Sequence, residues 1–267
     1  MNFSSLLGIL TGMVIVVASI VTATKSYIVF LDHHAILVVI GGTIAASLMC
    51  FPVSSYFRIA GVFLKKYLGN YSTRYETVIL EMVDLARGYR TDTAHLKNSI
   101  PKIKTLFLKD AIELLVQGGI TEAAFDAIMK KRALTHTKRF EDDANIFKTI
   151  SKFPPAFGLM GTALGMIALL QELGGADAQS KLGPAMAVGL VATFYGITLA
   201  NLVFIPIGEN LTKINKEDEM IRSMVIDGVR LIRAKEHPVV VEEFLKSYLL
   251  PAERAAMKKG KPAAAKA

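Results

Sequence analysis

Four long apolar runs without Asp, Glu, Lys or Arg constrain what this chain can fold into. The runs are Leu6–Ala23, Ala35–Pro52, Pro155–Leu170 and Gly183–Pro206. A helix needs about 20 predominantly apolar residues to cross the hydrocarbon core of a bilayer, and each run reaches or approaches that length. Four buried helices in a large soluble core are the alternative, but such helices rarely stay uncharged for so long. The sequence therefore predicts an all-α integral membrane protein with four transmembrane helices.

Basic residues are concentrated in two segments of the chain. The connection Val53–Lys152 holds 17 Lys and Arg against 11 Asp and Glu, and 12 more Lys and Arg follow Pro206. The connections after the first and third runs hold one basic residue each, Lys25 and Lys181. Because basic segments stay inside, we expect both termini and the long connection to be cytoplasmic. No Lys or Arg precedes the first run, so we expect it to be retained as a span and not cleaved as a signal peptide.

The composition argues against several functional classes. The net charge is +8, but basic residues are mixed with acidic ones and no aromatic residues alternate with them, so nucleic acid is not expected as a partner. We interpret the positive charge as a determinant of topology and as a contact with membrane lipid. The single cysteine, Cys50, excludes an internal disulfide. Adjacent His33 and His34 point to different helix faces, and no catalytic set is present, so neither an enzyme nor a cofactor is predicted.

The long connection has the pattern of a compact helical domain. Apolar residues from Val78 to Ala86 recur near a period of 3.6, and the segment FLKDAIELLVQGG repeats that pattern. Gly88 is expected to end the first of these helices and Gly118–Gly119 the second, while Thr121 is expected to cap a third. The low-complexity C-terminus is expected to be disordered. The predicted domains are transmembrane helices 1 and 2 (1–54), a cytoplasmic helical domain (55–152), transmembrane helices 3 and 4 (153–208), cytoplasmic C-terminal helices (209–250) and a disordered tail (251–267).

Glycines form one face on each of the last two spans. On the third span they recur at i, i+3 and i+7, and on the fourth they alternate with alanines at helical spacing. Such faces suit either tight helix packing or the lining of a narrow path, and the sequence leaves both open. The glycines are Gly158, Gly161 and Gly165 on the third span and Gly189 and Gly196 on the fourth.

Thr162 and Thr193 lie beside these small-residue faces. At 1.5 Å per residue, Thr162 lies roughly 10–15 Å from the cytoplasmic end of its span and Thr193 roughly 20 Å from Pro206, so both fall near mid-depth in a core about 30 Å thick. A threonine in a membrane helix often bonds only its own i−4 carbonyl. Two hydroxyls at one depth favour the alternative, in which they are oxygen ligands or relay points on an ion path.

No carboxylate accompanies these threonines. Ions that cross a membrane in discrete steps usually use an intramembrane carboxylate, whereas Glu172 and Glu209 lie at the ends of their spans. Either there is no ion path, or the carboxylate arrives on another chain. The second reading predicts a single-span partner that carries an Asp or Glu.

Two prolines lie near the cytoplasmic boundary of the last two spans. Pro155 is either a first-turn proline or a bend, and Pro206 is better placed for a bend, because proline removes a backbone donor within a helix. Paired bends at one depth could couple motion in the membrane to the cytoplasmic helices.

These segments resemble a known family. The similarity covers about residues 5–235 and is carried by PPAFGLMGTALGMIALL, GPAMAVGLVATFYGITLANLVFIPI, ILVVIGGTIAASLMCFP and FLKDAIELLVQGG. The chain resembles the MotA/PomA flagellar stator family. The first two of these stretches match the third and fourth spans of that family, the third matches its second span, and the last matches a cytoplasmic segment.

The resemblance implies a function and partners. Members form a ring, pentameric where known, around two single-span MotB-like or PomB-like chains whose Asp carries the ion, and their cytoplasmic loops push on the rotor protein FliG. It implies a multi-pass protein of the bacterial inner membrane that conducts H⁺ or Na⁺. Thr162 and Thr193 match positions implicated in ion selectivity and would contact the metal ion only if it is Na⁺. Pro155 and Pro206 match the functional prolines of the family.

One cytoplasmic motif departs from the family pattern, which has Arg-Lys followed by a Glu eight residues after the Arg. Arg87 matches, but Gly88 replaces the Lys and His95 falls where Glu is expected. Arg90 is a candidate substitute for the missing cation. The resemblance therefore implies a rotor contact through Arg87 and Arg90 on a variant surface.

Two other functions fit parts of the sequence. A TolQ/ExbB-like energiser of a non-flagellar periplasmic machine is the first alternative, although such members usually have three spans. A membrane scaffold without ion flux is the second, and it needs neither hydroxyls at mid-depth nor a carboxylate-bearing partner.

Overall fold

The computed structural model describes residues 3–23, 26–62, 75–92, 94–172 and 178–258. The predicted all-α class is confirmed for these residues, among which there is no β-strand. Two 3₁₀ segments, Tyr27–Phe30 and Ile100–Lys102, and two π-helical segments, Leu37–Gly41 and Ala200–Phe204, accompany the α-helices. The helices are α1 (Phe3–Ala23), α2 (His33–Ile36), α3 (Gly42–Cys50), α4 (Val53–Val62), α5 (Tyr75–Thr91), α6 (His95–Ser99), α7 (Leu106–Gln117), α8 (Glu122–Ile150), α9 (Phe153–Glu172), α10 (Ala178–Leu199), α11 (Ile205–Arg233), α12 (Pro238–Lys246) and α13 (Pro251–Lys258).

Local sequence explains where several helices begin and end. Gly118 and Gly119 adopt positive φ angles of 69° and 72°, which only glycine adopts at little cost, and α7 stops there as predicted. The Thr121 hydroxyl accepts a hydrogen bond from the Ala124 N–H at 3.3 Å and caps α8 as predicted. Phe51, which precedes Pro52, is extended, because proline disfavours the helical conformation of the residue before it.

Among the described residues, three helical stretches, each joining two or more of these helices, are long and apolar enough to cross a membrane: Tyr27–Cys50, Glu122–Gln171 and Leu182–Arg233. The apolar helix Leu7–Ala23 is shorter. The π-helical segment Ala200–Phe204 directly precedes Pro206. Proline has no N–H for the carbonyl four residues earlier, and a π-helical turn is one way in which a helix absorbs such a missing bond.

The chain divides into two compact units. Unit 1 comprises Met1–Tyr71 and Asp142–Thr212, and unit 2 comprises Ser72–Glu141 and Lys213–Ala267. The long connection and the C-terminal helices, which the sequence separates into two domains, thus belong largely to one unit.

The described residues of unit 1 form two small hydrophobic clusters and no single large core. One joins the ends of α8 and α11 and has Ala144, Ile146, Phe147, Ile150, Ile207 and Leu211. The other joins α2 and its π-helical extension to α10 and has Ala35, Val39, Val191 and Ala192. Most large apolar side chains of α1 are exposed in the single chain, as expected for surfaces that face lipid or other subunits.

Unit 2 has a conventional hydrophobic core. Helices α5, α7, α8, α11 and α12 each contribute fully buried side chains to one cluster. These include Val78, Ile79, Met82, Leu108, Ile112, Phe125, Met129, Met224, Val229, Val241 and Leu245. The period-3.6 pattern of α5 and α7 is therefore confirmed as the buried face of each helix.

Hydrogen bonds of α11 side chains link this helix to other segments of unit 2 at the edge of this core. We call these bonds the polar network. Arg230 donates to both carboxylate oxygens of Asp126 on α8, with an Nε–Oδ1 distance of 2.8 Å, and this bond lowers the pKa of Asp126. The Tyr248 hydroxyl donates to Asp227 at 2.6 Å. Burial of the phenol, followed by this hydrogen bond, raises the pKa of Tyr248 to about 12.

Two expectations about unit 2 are wrong. Helix α5 continues through Gly88 to Thr91, so Gly88 does not terminate it. The predicted disordered tail begins with a helix, Pro251–Lys258, and residues 259–267 lie outside the described residues. The reason is local, because Pro251 suits a first helical turn and the Glu253 carboxylate accepts the Leu250 N–H at 2.9 Å, which is half of a capping box.

Tyr248→Phe tests the network. The folded pKa of about 12 exceeds the ordinary value of about 10, so the hydroxyl contributes stability that is complete below pH 10 and lost as the pH rises from 10 to 12. We expect the variant to lose about 1 kcal/mol of unfolding free energy at neutral pH and to converge with wild type at high pH. Thermal unfolding of the purified protein between about pH 8 and pH 12 measures this. A difference that stays constant across that range would contradict the assignment, and exposed Tyr27→Phe is the control.

Candidate functional site

Helices α9 and α10 are antiparallel and meet backbone to backbone. A Cβ at Gly158 would lie 3.0 Å from the Thr193 Cα, and one at Gly165 would lie 3.1 Å from the Ala185 carbonyl oxygen. A Cβ at Gly189 would lie 3.0 Å from the Thr162 Cα. Contacts this short leave no room for a side chain, so these glycines permit the approach of the two helices.

The other two predicted glycines lie in the same contact. Gly161 packs on the Ala192 side chain, and Gly196 packs on the backbone of Pro154 and Pro155. Pro154 and Pro155 occupy the first turn of α9, which begins at Phe153 and where proline is favoured. The structure thus places all five glycines between α9 and α10 and places Pro155 opposite Gly196. Pro154 was not singled out from the sequence.

The hydroxyls of Thr162 and Thr193 lie inside this contact. Their oxygens are 2.5 Å apart. The Thr162 hydroxyl lies 2.9 Å from the Gly189 carbonyl oxygen, and both hydroxyls lie 3.2 Å from the Gly158 carbonyl oxygen. The bond of Thr162 to its own helix, a possibility that the sequence left open, is therefore only part of the geometry, because both hydroxyls also reach across to the other helix.

Two hydroxyl protons serve this cluster, and the bond between the two hydroxyls can run in either direction. Thr193 can donate to Thr162, which then donates to the Gly189 carbonyl. Alternatively, Thr162 can donate to Thr193, which then donates to the Gly158 carbonyl. Each hydroxyl donates once and can accept, so the direction of the chain can reverse without moving a heavy atom.

The cluster is rich in oxygen but carries no formal charge. Its four oxygens, two hydroxyl and two carbonyl, are the ligand type that hard cations and protons prefer. Within the described ranges no group of three or more His, Cys, Asp or Glu could hold a metal ion. A cation at mid-depth needs a compensating charge, so the geometry supports an ion site that is incomplete in this chain.

The segment before α2 is anchored to α10, which the sequence analysis missed. The Tyr195 hydroxyl donates to the Phe30 carbonyl, and the Phe30 ring packs edge-on against Phe194 at 5.6 Å between centroids. The Asp32 carboxylate caps α2 by accepting the Ala35 N–H at 2.7 Å. An Asp just before an apolar helix is a recognisable cap signal, but the contact with Tyr195 spans 165 residues and leaves no local signal.

A cavity of about 310 Å³ opens between α2, α9 and α10. It is lined by glycines and apolar side chains, except for one histidine. The lining residues are His34, Ala35, Val38, Gly161, Leu164, Gly165, Ala168, Ala185, Val188 and Ala192.

The remaining predicted residues lie outside the threonine cluster. Pro206 follows the π-helical segment of the fourth apolar run, and nearby Glu209 forms an ion pair with Lys148 at 3.0 Å. Arg87 and Arg90 belong to unit 2, where both are exposed on α5. Their spacing of three residues places them on one side of that helix.

Known proteins share this sequence and fold. Residues 99–224 match the MotA/TolQ/ExbB proton channel family. The chain is 32% identical over 255 residues to the chemotaxis protein PomA of Vibrio alginolyticus, covering 96% of this chain and 98% of that protein. It is 29% identical over 259 residues to Motility protein A of Borreliella burgdorferi, covering 95% and 96%. The solved structure of the flagellar MotAB stator complex from Bacillus subtilis matches with a TM-score of 0.85 and 26% identity, covering 94% of this chain and 98% of that chain.

The fold and these matches define an integral membrane protein of a channel family and not of an enzyme family. The chain belongs to the MotA/TolQ/ExbB proton channel family and, within it, to the MotA and PomA motility proteins. It is a flagellar stator subunit that couples ion flow to rotation. The resemblance seen in the sequence is confirmed.

Gly189→Ala tests whether the glycines serve helix packing. Its Cβ would lie 3.0 Å and 3.3 Å from backbone atoms of Thr162, so we expect a loss of about 1–3 kcal/mol from overpacking. Gly8→Ala on α1 is the control, because a Cβ there meets nothing within 4 Å and alanine favours a helix by up to about 1 kcal/mol. The melting temperatures of the purified proteins measure both effects. Equal tolerance of the two substitutions would contradict the packing role.

Proposed function

We propose that this chain forms the wall of the stator channel and that a partner supplies the charge. The observation that carries the proposal is the neutral oxygen cluster of Thr162, Thr193 and the carbonyls of Gly158 and Gly189. It offers ligands or relay points at mid-depth but no carboxylate. The partner is a MotB-like or PomB-like single-span subunit, whose Asp would bring the ion to this cluster.

The transported ion is H⁺ or Na⁺, and the cluster has a feature that suits each. The reversible hydroxyl chain suits a proton, which can pass by reorientation of hydrogen bonds. The four oxygens suit a dehydrated Na⁺, for which Thr162 and Thr193 would be the side-chain ligands.

The assembly follows from the surfaces that α9 and α10 leave open. Large apolar side chains on these helices, among them Leu159, Leu164 and Leu190, are half or more exposed in the single chain. We assign them to contacts with the partner's span, with lipid and with further copies of this chain in a ring, which by family resemblance is pentameric.

We assign the threonine cluster to the membrane and unit 2 to the cytoplasm. Helix α1, Phe3–Ala23, has 21 residues, and we count it as the first of four spans. The excess of basic residues in Val53–Lys152 and after Pro206 supports cytoplasmic N- and C-termini in the bacterial inner membrane.

Torque is transmitted through unit 2 to the rotor protein FliG. Arg87 and Arg90 are exposed on one side of α5 and suit an acidic rotor surface. Pro155, in contact with Gly196, and Pro206, beside the π-helical turn, are the positions at which the spans connect to the helices that lead out of the membrane. We assign them the coupling of ion passage to movement.

Thr162→Val tests the ion path. Valine keeps the shape of threonine but removes a hydroxyl, so we expect ion-dependent swimming to fall about tenfold while the complex still assembles. Thr162→Ser should retain most activity. Thr22→Val is the control, because the Thr22 hydroxyl is exposed and bonds its own Ala18 carbonyl at 2.8 Å.

Swimming of cells that carry Thr162→Val at wild-type speed would exclude the hydroxyl from the path. Swimming speed across Na⁺ concentrations at fixed pH identifies the ion, because only a Na⁺-driven stator responds directly to Na⁺.

Arg87→Glu combined with Arg90→Glu tests the rotor contact. Reversal of two exposed cations should reduce swimming severalfold by repelling an acidic rotor surface, without changing the amount of assembled complex. Arg132→Glu is the control, since Arg132 is exposed on α8 of the same unit. Unchanged swimming of the double variant would show that rotor contact lies elsewhere.

A further inference from the structure

A glycine and a histidine meet at the C-terminal end of α5. A Cβ at Gly88 would overlap the Cγ, Cδ2 and Nε2 atoms of the His95 ring, so the imidazole lies directly on the glycine backbone. A side chain at position 88 and an imidazole in this place therefore exclude each other. This explains why α5 contains a glycine that does not end the helix.

Hydrogen bonds fix the turn that brings the two residues together. The Gly88 carbonyl accepts bonds from the Thr91 hydroxyl at 2.8 Å and from the Asp92 N–H at 2.9 Å. The Asp92 carbonyl in turn accepts the His95 N–H at 3.1 Å. The backbone of His95 is thus held over α5, and an added side chain at position 88 would displace the ring itself.

The ring acts by packing. The His95 Nε2 atom is buried and has no hydrogen-bond partner among the described residues. At this atom the ring therefore makes van der Waals contacts but no hydrogen bond. The neighbouring Leu96 and Ser99 are buried and anchor α6. The imidazole is therefore a wedge between α6 and the last turns of α5.

The wedge packs on the turn of α5 that carries the two exposed cations. Arg87 and Arg90 flank Gly88 in sequence and are exposed, so the course of the last turns of α5 decides where both guanidinium groups project. We propose that Gly88 and His95 are a matched pair that positions Arg87 and Arg90 against an acidic surface of the rotor protein. The proposal rests on the proposed rotor contact. The two departures from the family pattern, Gly88 and His95, are then a single local change, because the absence of a side chain at position 88 makes room for the imidazole of His95.

A double-mutant cycle on the full chain, purified with its single-span partner, tests the match. We expect Gly88→Ala to lower the melting temperature by about 3 °C or more, because the methyl group displaces the ring. In a His95→Ala background, the same Gly88→Ala substitution should leave the melting temperature unchanged or raise it, because alanine favours a helix over glycine. Gly41→Ala is the control, since a Cβ there meets nothing within 4 Å.

Swimming, measured at a temperature at which every variant is folded, tests the positioning role. We expect Gly88→Ala to reduce it severalfold and the added His95→Ala to restore part of the loss. Additive effects on the melting temperature would overturn the matched pair. Normal swimming of Gly88→Ala would overturn the positioning role. If cells with the Arg87→Glu and Arg90→Glu double variant swim normally, the proposed rotor contact is contradicted, and the positioning role is contradicted with it. The melting-temperature cycle still tests whether Gly88 and His95 are a matched pair.

Discussion

The structure of unit 1 depends on the backbone-to-backbone approach of α9 and α10. Helices in a bilayer gain no hydrophobic free energy when they meet, because lipid chains are as apolar as their side chains. Close van der Waals contact and interhelical hydrogen bonds must provide the attraction. Gly158, Gly165 and Gly189 allow this by removing side chains that would hold the helices apart, with positions for a Cβ only 3.0–3.1 Å from the opposite backbone.

The same approach creates the polar site. Thr162 reaches the carbonyl of Gly189 because a side chain at position 189 would push its backbone away, and Thr193 reaches the carbonyl of Gly158 for the same reason. The hydroxyls therefore contribute to helix packing in the isolated chain and remain uncharged. A buried carboxylate at this position would destabilise the chain without a cation, whereas a carboxylate on a second subunit enters only when the complex forms. In the proposed channel, this chain therefore forms the uncharged wall and the partner subunit carries the charge.

The helical periodicity of the sequence predicted which residues share a face and which lie at the same depth. The spacing of Gly158, Gly161 and Gly165 predicted a shared face, and rise per residue placed Thr162 and Thr193 at one depth. It did not predict whether that face packs on another helix or lines a path, because helical periodicity identifies the residues of a face but not what the face contacts. It missed the anchoring of Phe30 by Tyr195 for the same reason. It also misread Gly88 as a helix end, since the ring that requires the glycine lies seven residues further on, beyond a turn.

Gly158 and Gly189 differ from Gly88 and Gly228 in what they approach, and this difference sets how each position can change. Gly158 and Gly189 face backbone atoms of the opposite helix, which no substitution in that helix can remove, so these positions admit no compensating change nearby. Gly88 faces the His95 ring and Gly228 faces the side chain of Met82, which a second substitution can shorten. At Gly158 and Gly189 the proposed channel wall is therefore fixed by backbone contacts, whereas the surface that carries Arg87 can vary by paired substitutions. In the proposed stator, the ion path can thus stay unchanged while the rotor contact adapts.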